Sequence, residues 1–245
     1  LVVDMPQYAG YHDAAAEGSG EVWFSLAHEI PPLVWRLPFP HDVSDEVVSF
    51  NNPGGRLTNS DLELAAEVLG IGVILLEAPV IKQEPLGTLC DNTPTVSWIE
   101  KMASKSSTPT AGRLLRGLAF MLYCHCAGRL TTIYVPGPEN IMADIASRPS
   151  KALTFFHATT PVVSDHDFVS SFNVAFSLPE QQTWSITLVP EWVKFNVFET
   201  LRGKRLDLRL WMGPNGSGTG VRGRRVAACI HSTAAARPSS QVTSK

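Results

Sequence analysis

The chain has 245 residues, 44% hydrophobic and 18% charged, with a formal net charge of -3, so it has enough apolar residues for a core and is not a disordered polymer. The charge is uneven: residues 1–201 carry 11 Lys+Arg against 22 Asp+Glu, and residues 202–245 carry 9 against one acid, Asp207. An acidic body excludes a general nucleic-acid coat, which needs clustered cations, and leaves the basic tail as a non-specific anchor.

The four cysteines (Cys90, Cys124, Cys126, Cys229) lack the spacing of a disulfide framework, which points to a reducing interior. No apolar run approaches the roughly 18–20 residues of a membrane span, and no signal peptide is legible. The expected location is therefore intracellular, cytoplasm or nucleus, without secretion or membrane association. An opening at Leu1 without Met fits a piece of a polyprotein.

In chain order, Gln7–Ala14 and Val22–Ala27 read as a hairpin about a turn at Gly18-Ser19-Gly20. Pro31, Pro32, Pro38 and Pro40 make 28–45 a loop with at most one short edge strand, and Val47–Phe50 reads as the third strand. A long helix follows, capped by Asn59 or Ser60, with Ser60 and Glu63 in capping-box spacing and Leu62, Ala66, Leu69 and Val73 in helical period. Leu86–Cys90 is a short strand with Asp91 at its end. Then come helices over Thr95–Met102 and Thr110–Ala127, a strand over Thr131–Val135, a Pro136-Gly137-Pro138 turn and a short helix over Asn140–Ala146.

Antiparallel strands followed by alternating helix and strand imply an α/β mixed sheet with helices on its faces. The chain divides into a body, residues 1–149, a connector with little regular structure, 150–212, and a disordered basic tail, 213–245. Cys124 and Cys126 read as packing residues, because i and i+2 on a helix diverge by about 200°. The Gly213–Gly223 run lacks the Lys-Ser/Thr end of a phosphate loop.

Four acids stand at strand ends or first helical turns: Asp13, Glu63, Asp91 and Asp144. Carboxylates gathered at one point repel one another unless cations neutralise them, and dense oxygen donors select Mg²⁺ or Mn²⁺ over zinc. Asp61 is the rival to Glu63, with the alternative role of a first-turn acid favoured by the helix dipole.

Four segments carry a resemblance. GYHDAAAEGSGEVW (Gly10–Trp23), TNSDLELAA (Thr58–Ala66), LCDNTPTVSWIEK (Leu89–Lys101) and YVPGPENIMADIASRP (Tyr134–Pro149) are, in this order, similar to the ribonuclease H domains of retrotransposon reverse transcriptases. The resemblance implies a five-stranded ribonuclease H-like mixed sheet. It also implies Asp13, Glu63, Asp91 and Asp144 as catalytic ligands of two Mg²⁺ ions, Mn²⁺ substituting. The implied activity is hydrolysis of the RNA strand of RNA–DNA hybrids, beside a polymerase domain upstream in the same polyprotein. Many such enzymes have a His shortly before the last acid. None lies between Tyr134 and Asp144, which leaves that role unfilled or passes it to Glu139 or Asn140.

Pro109, where the long helix begins, comes 18 residues after Asp91, too few for a basic, substrate-gripping insertion. Ser19, Asn92 and Thr93 are candidates for contacts to the 2′-hydroxyls that mark RNA, or ordinary turn and cap groups. Lys101 and Arg113, with Lys105 and Arg116, are candidates for phosphate contacts, or a solvated helix face. FNVAFSLPEQQTW with LRGKRLDLRLW resembles the connector after ribonuclease H in tyrosine-recombinase-bearing (DIRS-type) retroelements. The competing readings are a catalytically silent connection module, another nuclease or an integrase on the same fold, and a decayed element copy.

Overall fold

The structure, a computed structural model, describes residues 6–26, 30–78, 84–105, 107–125, 127–156, 164–179 and 182–213. Strand β1 (Tyr8–Ala15) turns through Ala16 and Glu17 into β2 (Gly18–Ser25), and β3 (Leu33–Pro38) follows antiparallel. A short helix α1 (His41–Ser44) precedes α2 (Asn59–Glu77). Then come β4 (Leu86–Cys90), α3 (Thr93–Lys101), α4 (Pro109–Cys124), β5 (Leu130–Tyr134) and α5 (Ile141–Ser147). Beyond them lie α6 (Pro149–Phe155), α7 (Asp165–Ala175), β6 (Ser185–Ile186) and α8 (Glu191–Leu201).

The six strands are ordered β5-β4-β1-β2-β3-β6, with β4 parallel to both β1 and β5. The first five form the expected five-stranded mixed sheet. The sixth pairs through Leu33↔Ser185 and Val34↔Ile186. Side-chain alternation divides two cores: Trp23 and Trp35 pack among residues of α2, α4 and α8, and Val22 and Val34 among residues of α5, α6 and α7. Helices thus cover both faces. Helix α2 is buried from Asp61 to Leu75 because it lies between the sheet and a further layer of helices, so it is apolar nearly all round. Among the described residues no helix is long and apolar enough to cross a membrane.

Several expectations are corrected. Gly18-Ser19-Gly20 is strand, not turn: it pairs with β1 on one side and β3 on the other, and α5 lies so close that a Cβ on Gly20 would come within 2.5 Å of the Ala146 carbonyl carbon. The third strand is Leu33–Pro38, and Val47 makes an isolated bridge to Leu57. Pro31 and Pro32 precede this strand, Pro38 is its last residue and Pro40 follows it, so Leu33 to Leu37 keep their N–H groups. The cap of α2 is Thr58, in a capping box with Asp61. Residues 150–212, expected to be poor in regular structure, carry α6, α7, β6 and α8, whose aromatic and aliphatic side chains complete both cores. Cys126 and the tail from residue 214 lie outside the described residues.

Candidate active site

The site lies at the carboxyl ends of the parallel strands β1 and β4. Asp13 sits near the end of β1, and Asp91 directly follows β4. The parallel register pairs Tyr11 with Leu89, so both acids come to the same edge. Helix α2 supplies the third acid. Its capping box uses Asp61, whose carboxylate accepts from Thr58 N at 2.9 Å and from Thr58 Oγ1 at 2.8 Å. Glu63, two residues on, is turned inward and buried, and Asn59 Nδ2 donates to its Oε1 at 3.4 Å.

Side-chain hydrogen bonds lock these elements together. Thr95 Oγ1 in α3 donates to the Ser60 carbonyl at 3.1 Å, joining the amino ends of α2 and α3. Asn140 Nδ2 donates to the His12 carbonyl at 2.8 Å, fixing the start of α5 on β1.

Asp13, Glu63 and Asp91 each place a carboxylate oxygen so that all three lie within 4.8 Å of one another, with Asp13 and Glu63 buried and Asp91 half-buried. Burial raises the pKa of Asp13, against the Ser147 hydroxyl and Arg148, which lower it. Burial, then repulsion from Asp13, pushes Glu63 well up. Such a donor set, all hard oxygen and short of compensating cations, fits a divalent ion such as Mg²⁺.

The fourth expected acid, Asp144, stands apart from this group. Arg148 Nε reaches it at 3.2 Å, Lys151 Nζ is paired with it, and Arg148 Nη2 lies 3.7 Å from Asp13. Ser147 donates to Asp13. Ser147 and Arg148 lie within the fourth motif, Tyr134–Pro149, where no local pattern marks their contacts to Asp13. Lys151 lies past the break between α5 and α6, and no sequence signal marked it.

Of the expected substrate contacts, Thr93 and Lys101 are exposed, and Lys101 Nζ donates to Ser97 Oγ at 2.9 Å. Asn92 caps α3, its Oδ1 accepting from Thr95 N at 3.1 Å. Ser19 is fully buried in β2, and Arg113 points at the turn after α8, 3.5 Å from the Gly203 carbonyl. Asn140, a candidate for the missing His, is buried and structural, whereas Glu139 is exposed.

No family model matches the sequence, and no curated protein does. Among solved structures, the N-terminal ribonuclease H domain of a Mycobacterium tuberculosis protein is similar at 14% identity and TM-score 0.39, over 62% of this chain and 96% of that one. The compost-metagenome LC11 ribonuclease H1 in complex with an RNA/DNA hybrid is similar at 15% identity and TM-score 0.43, over 60% and 99%. The ribonuclease H1 of the archaeon Halobacterium salinarum is similar at 13% identity and TM-score 0.39, over 60% and 98%.

Proposed function

We propose that the chain is a metal-dependent ribonuclease H that hydrolyses the RNA strand of RNA–DNA hybrids during reverse transcription. The observation that carries this reading is the meeting of Asp13, Glu63 and Asp91 at one edge of the sheet. The four motifs in order support a retroelement polyprotein with a polymerase domain upstream, of DIRS type by the segments at Phe172–Trp184 and Leu201–Trp211.

Asp13, Glu63 and Asp91 would hold Mg²⁺, or Mn²⁺ in its place, with Asp144 as the fourth ligand of a two-ion site. Bound ions of this kind supply an activated water and charge stabilisation for phosphodiester cleavage. The chain's own residues prepare that chemistry. Ser147 and Arg148 hold the Asp13 carboxylate in place. Half-exposed Arg148 and Lys151 put positive charge at the rim, where a phosphate backbone would lie. Asn92, Thr93 and Lys101 form the amino end and outer face of α3, and we assign them to the hybrid.

A catalytically silent connection module on the same fold, or a decayed copy, is the second reading. The engagement of Asp144 by Lys151 and Arg148 favours it, because internal cations there compete with a metal ion.

The deciding experiment incubates the chain, fused to its upstream polymerase, with a labelled RNA–DNA hybrid. RNA cleavage that requires Mg²⁺ or Mn²⁺ and vanishes in Asp91→Asn is the expected result. No cleavage with either ion, or equal cutting of duplex DNA, overturns it.

A further inference from the structure

Beside the carboxylates lies a second group of donors, two of which, His12 and Cys90, the nuclease chemistry does not use. A ring nitrogen of His12, a carboxylate oxygen of Glu63 and the sulfur of Cys90 all lie within 4.8 Å of one another, and all three residues are buried. They come from three elements, β1, α2 and the end of β4. Cys90 Sγ is 4.0 Å from Glu63 Oε2.

The imidazole is held from behind. His12 Nδ1 lies 2.9 Å from Glu67 Oε2, and Thr88 Oγ1 donates to Glu67 Oε1 at 3.1 Å. Thr88 Oγ1 is in turn 2.7 Å from Thr132 Oγ1. A carboxylate on one ring nitrogen fixes the tautomer and aims the other nitrogen, the usual support of a metal-binding histidine. Nε2 is the ring's remaining donor. Glu67 stands one helical turn after Glu63, so both carboxylates face the same strand. Burying an imidazole, a carboxylate and a thiol together is costly, and a bound cation would offset that cost.

We propose that His12, Glu63 and Cys90 form a second metal site, selective for a borderline divalent ion of the zinc class. The donor set is nitrogen, oxygen and sulfur, which suits such ions and not Mg²⁺, and three protein ligands leave the fourth tetrahedral position open. Glu63 belongs to both groups, so the site adjoins the half-buried Asp91 and the more open carboxylate edge. Binding replaces the Cys90 S–H bond with a metal–sulfur bond and releases the proton to solvent. One consequence rests on the nuclease reading: an ion held here draws Glu63 away from the other carboxylates and slows cleavage.

Co²⁺ is the probe, added to the whole chain in excess Mg²⁺. The expected result is one equivalent bound with a thiolate-to-cobalt charge-transfer absorption. Cys90→Ser and Cys90→Ala should both abolish the band, and Glu67→Gln should weaken Co²⁺ binding by about 10–100-fold through loss of the imidazole's support. Asp91→Asn should retain the band even if it ends hybrid cleavage, which separates this site from the nuclease reading. Absence of the band in the unaltered chain overturns the proposal. So does a band that survives both Cys90 variants and disappears when Cys124, Cys126 and Cys229 are replaced.

Discussion

The Ser147 hydroxyl donates to the Asp13 carboxylate, tying the last residue of α5 to the central strand β1. The bond is buried and charge-assisted, and it opposes the rise in pKa that burial imposes on Asp13. Ser147→Ala should therefore cost about 1.5–3 kcal/mol at neutral pH, the range for a hydrogen bond to a charged group. Urea denaturation reads the loss. It should shrink in acid, where Asp13 is protonated, and an equal loss at both pH values would count against this account.

Divalent ions should stabilise the fold. At 100 times its dissociation constant a ligand adds about 2.7 kcal/mol. Mg²⁺ titrated into the EDTA-treated chain should raise the denaturation midpoint, and EDTA should reverse the rise. Asp91→Asn should lose most of this increment yet be no less stable without metal, since it removes one of three mutually repelling carboxylates.

The metal-free chain should lose stability as the pH rises. Burial raises the folded-state pKa of Asp13, and those of Glu63 and Glu21 more strongly. A group with a raised folded value gives its full contribution below its unfolded value, near 4 for a carboxylate, and loses it through the folded value. Denaturation in EDTA should give a stability that falls above about pH 4. Saturating Mg²⁺ should flatten that slope for Asp13 and Glu63 and leave the part due to Glu21.

Gly20→Ala tests the seating of α5. The added Cβ would meet the Ala146 carbonyl carbon at 2.5 Å, backbone that cannot swing aside. Overpacking of this kind costs about 1–3 kcal/mol. Because Ser147 and Arg148 adjoin the displaced turn, Mg²⁺ affinity measured by calorimetry should fall as well.

Trp211→Ala tests whether the residues after α8 belong to the body. Trp211 is buried, and its ring occupies the space that a side chain on Gly117 of α4 would need, 2.7 Å from that position's Cβ. Truncating a buried Trp costs about 3–5 kcal/mol. A loss near zero in urea denaturation would mean that this segment docks without holding the core together.

Much of this architecture was legible in the chain. Asp13, Glu63 and Asp91 each stand in a separate recognisable segment, and the resemblance of Thr58–Ala66, which sets a Glu at the start of the first long helix, favoured Glu63 over Asp61. The central hairpin, α2, α4 and the strand before Asp91 followed from apolar periodicity. Other features were not legible, for local reasons. Strand β6 is two residues long and exists because β3 offers it an edge. Gly18 and Gly20, which look like a turn, are strand residues whose side-chain space is taken by distant chain, Gly20's by Ala146, 126 positions downstream, and Gly18's by the Leu37 carbonyl of β3. The aromatics between Phe155 and Trp184 lack a period because they fill one side of the sheet from several short elements.

By itself the sequence determined which residue types stand at strand ends and helix starts, since period, caps and turn chemistry act over a few neighbours. Only the tertiary structure decided which of these side chains meet. It brought Asp13, Glu63 and Asp91 together, set Lys151 and Arg148 on Asp144, and placed His12 between Glu67 and Cys90. Those encounters depend on the parallel register of β1 with β4 and on the seating of α2 and α5 against the sheet. Both are set by packing between segments far apart in the chain, and no local pattern encodes them.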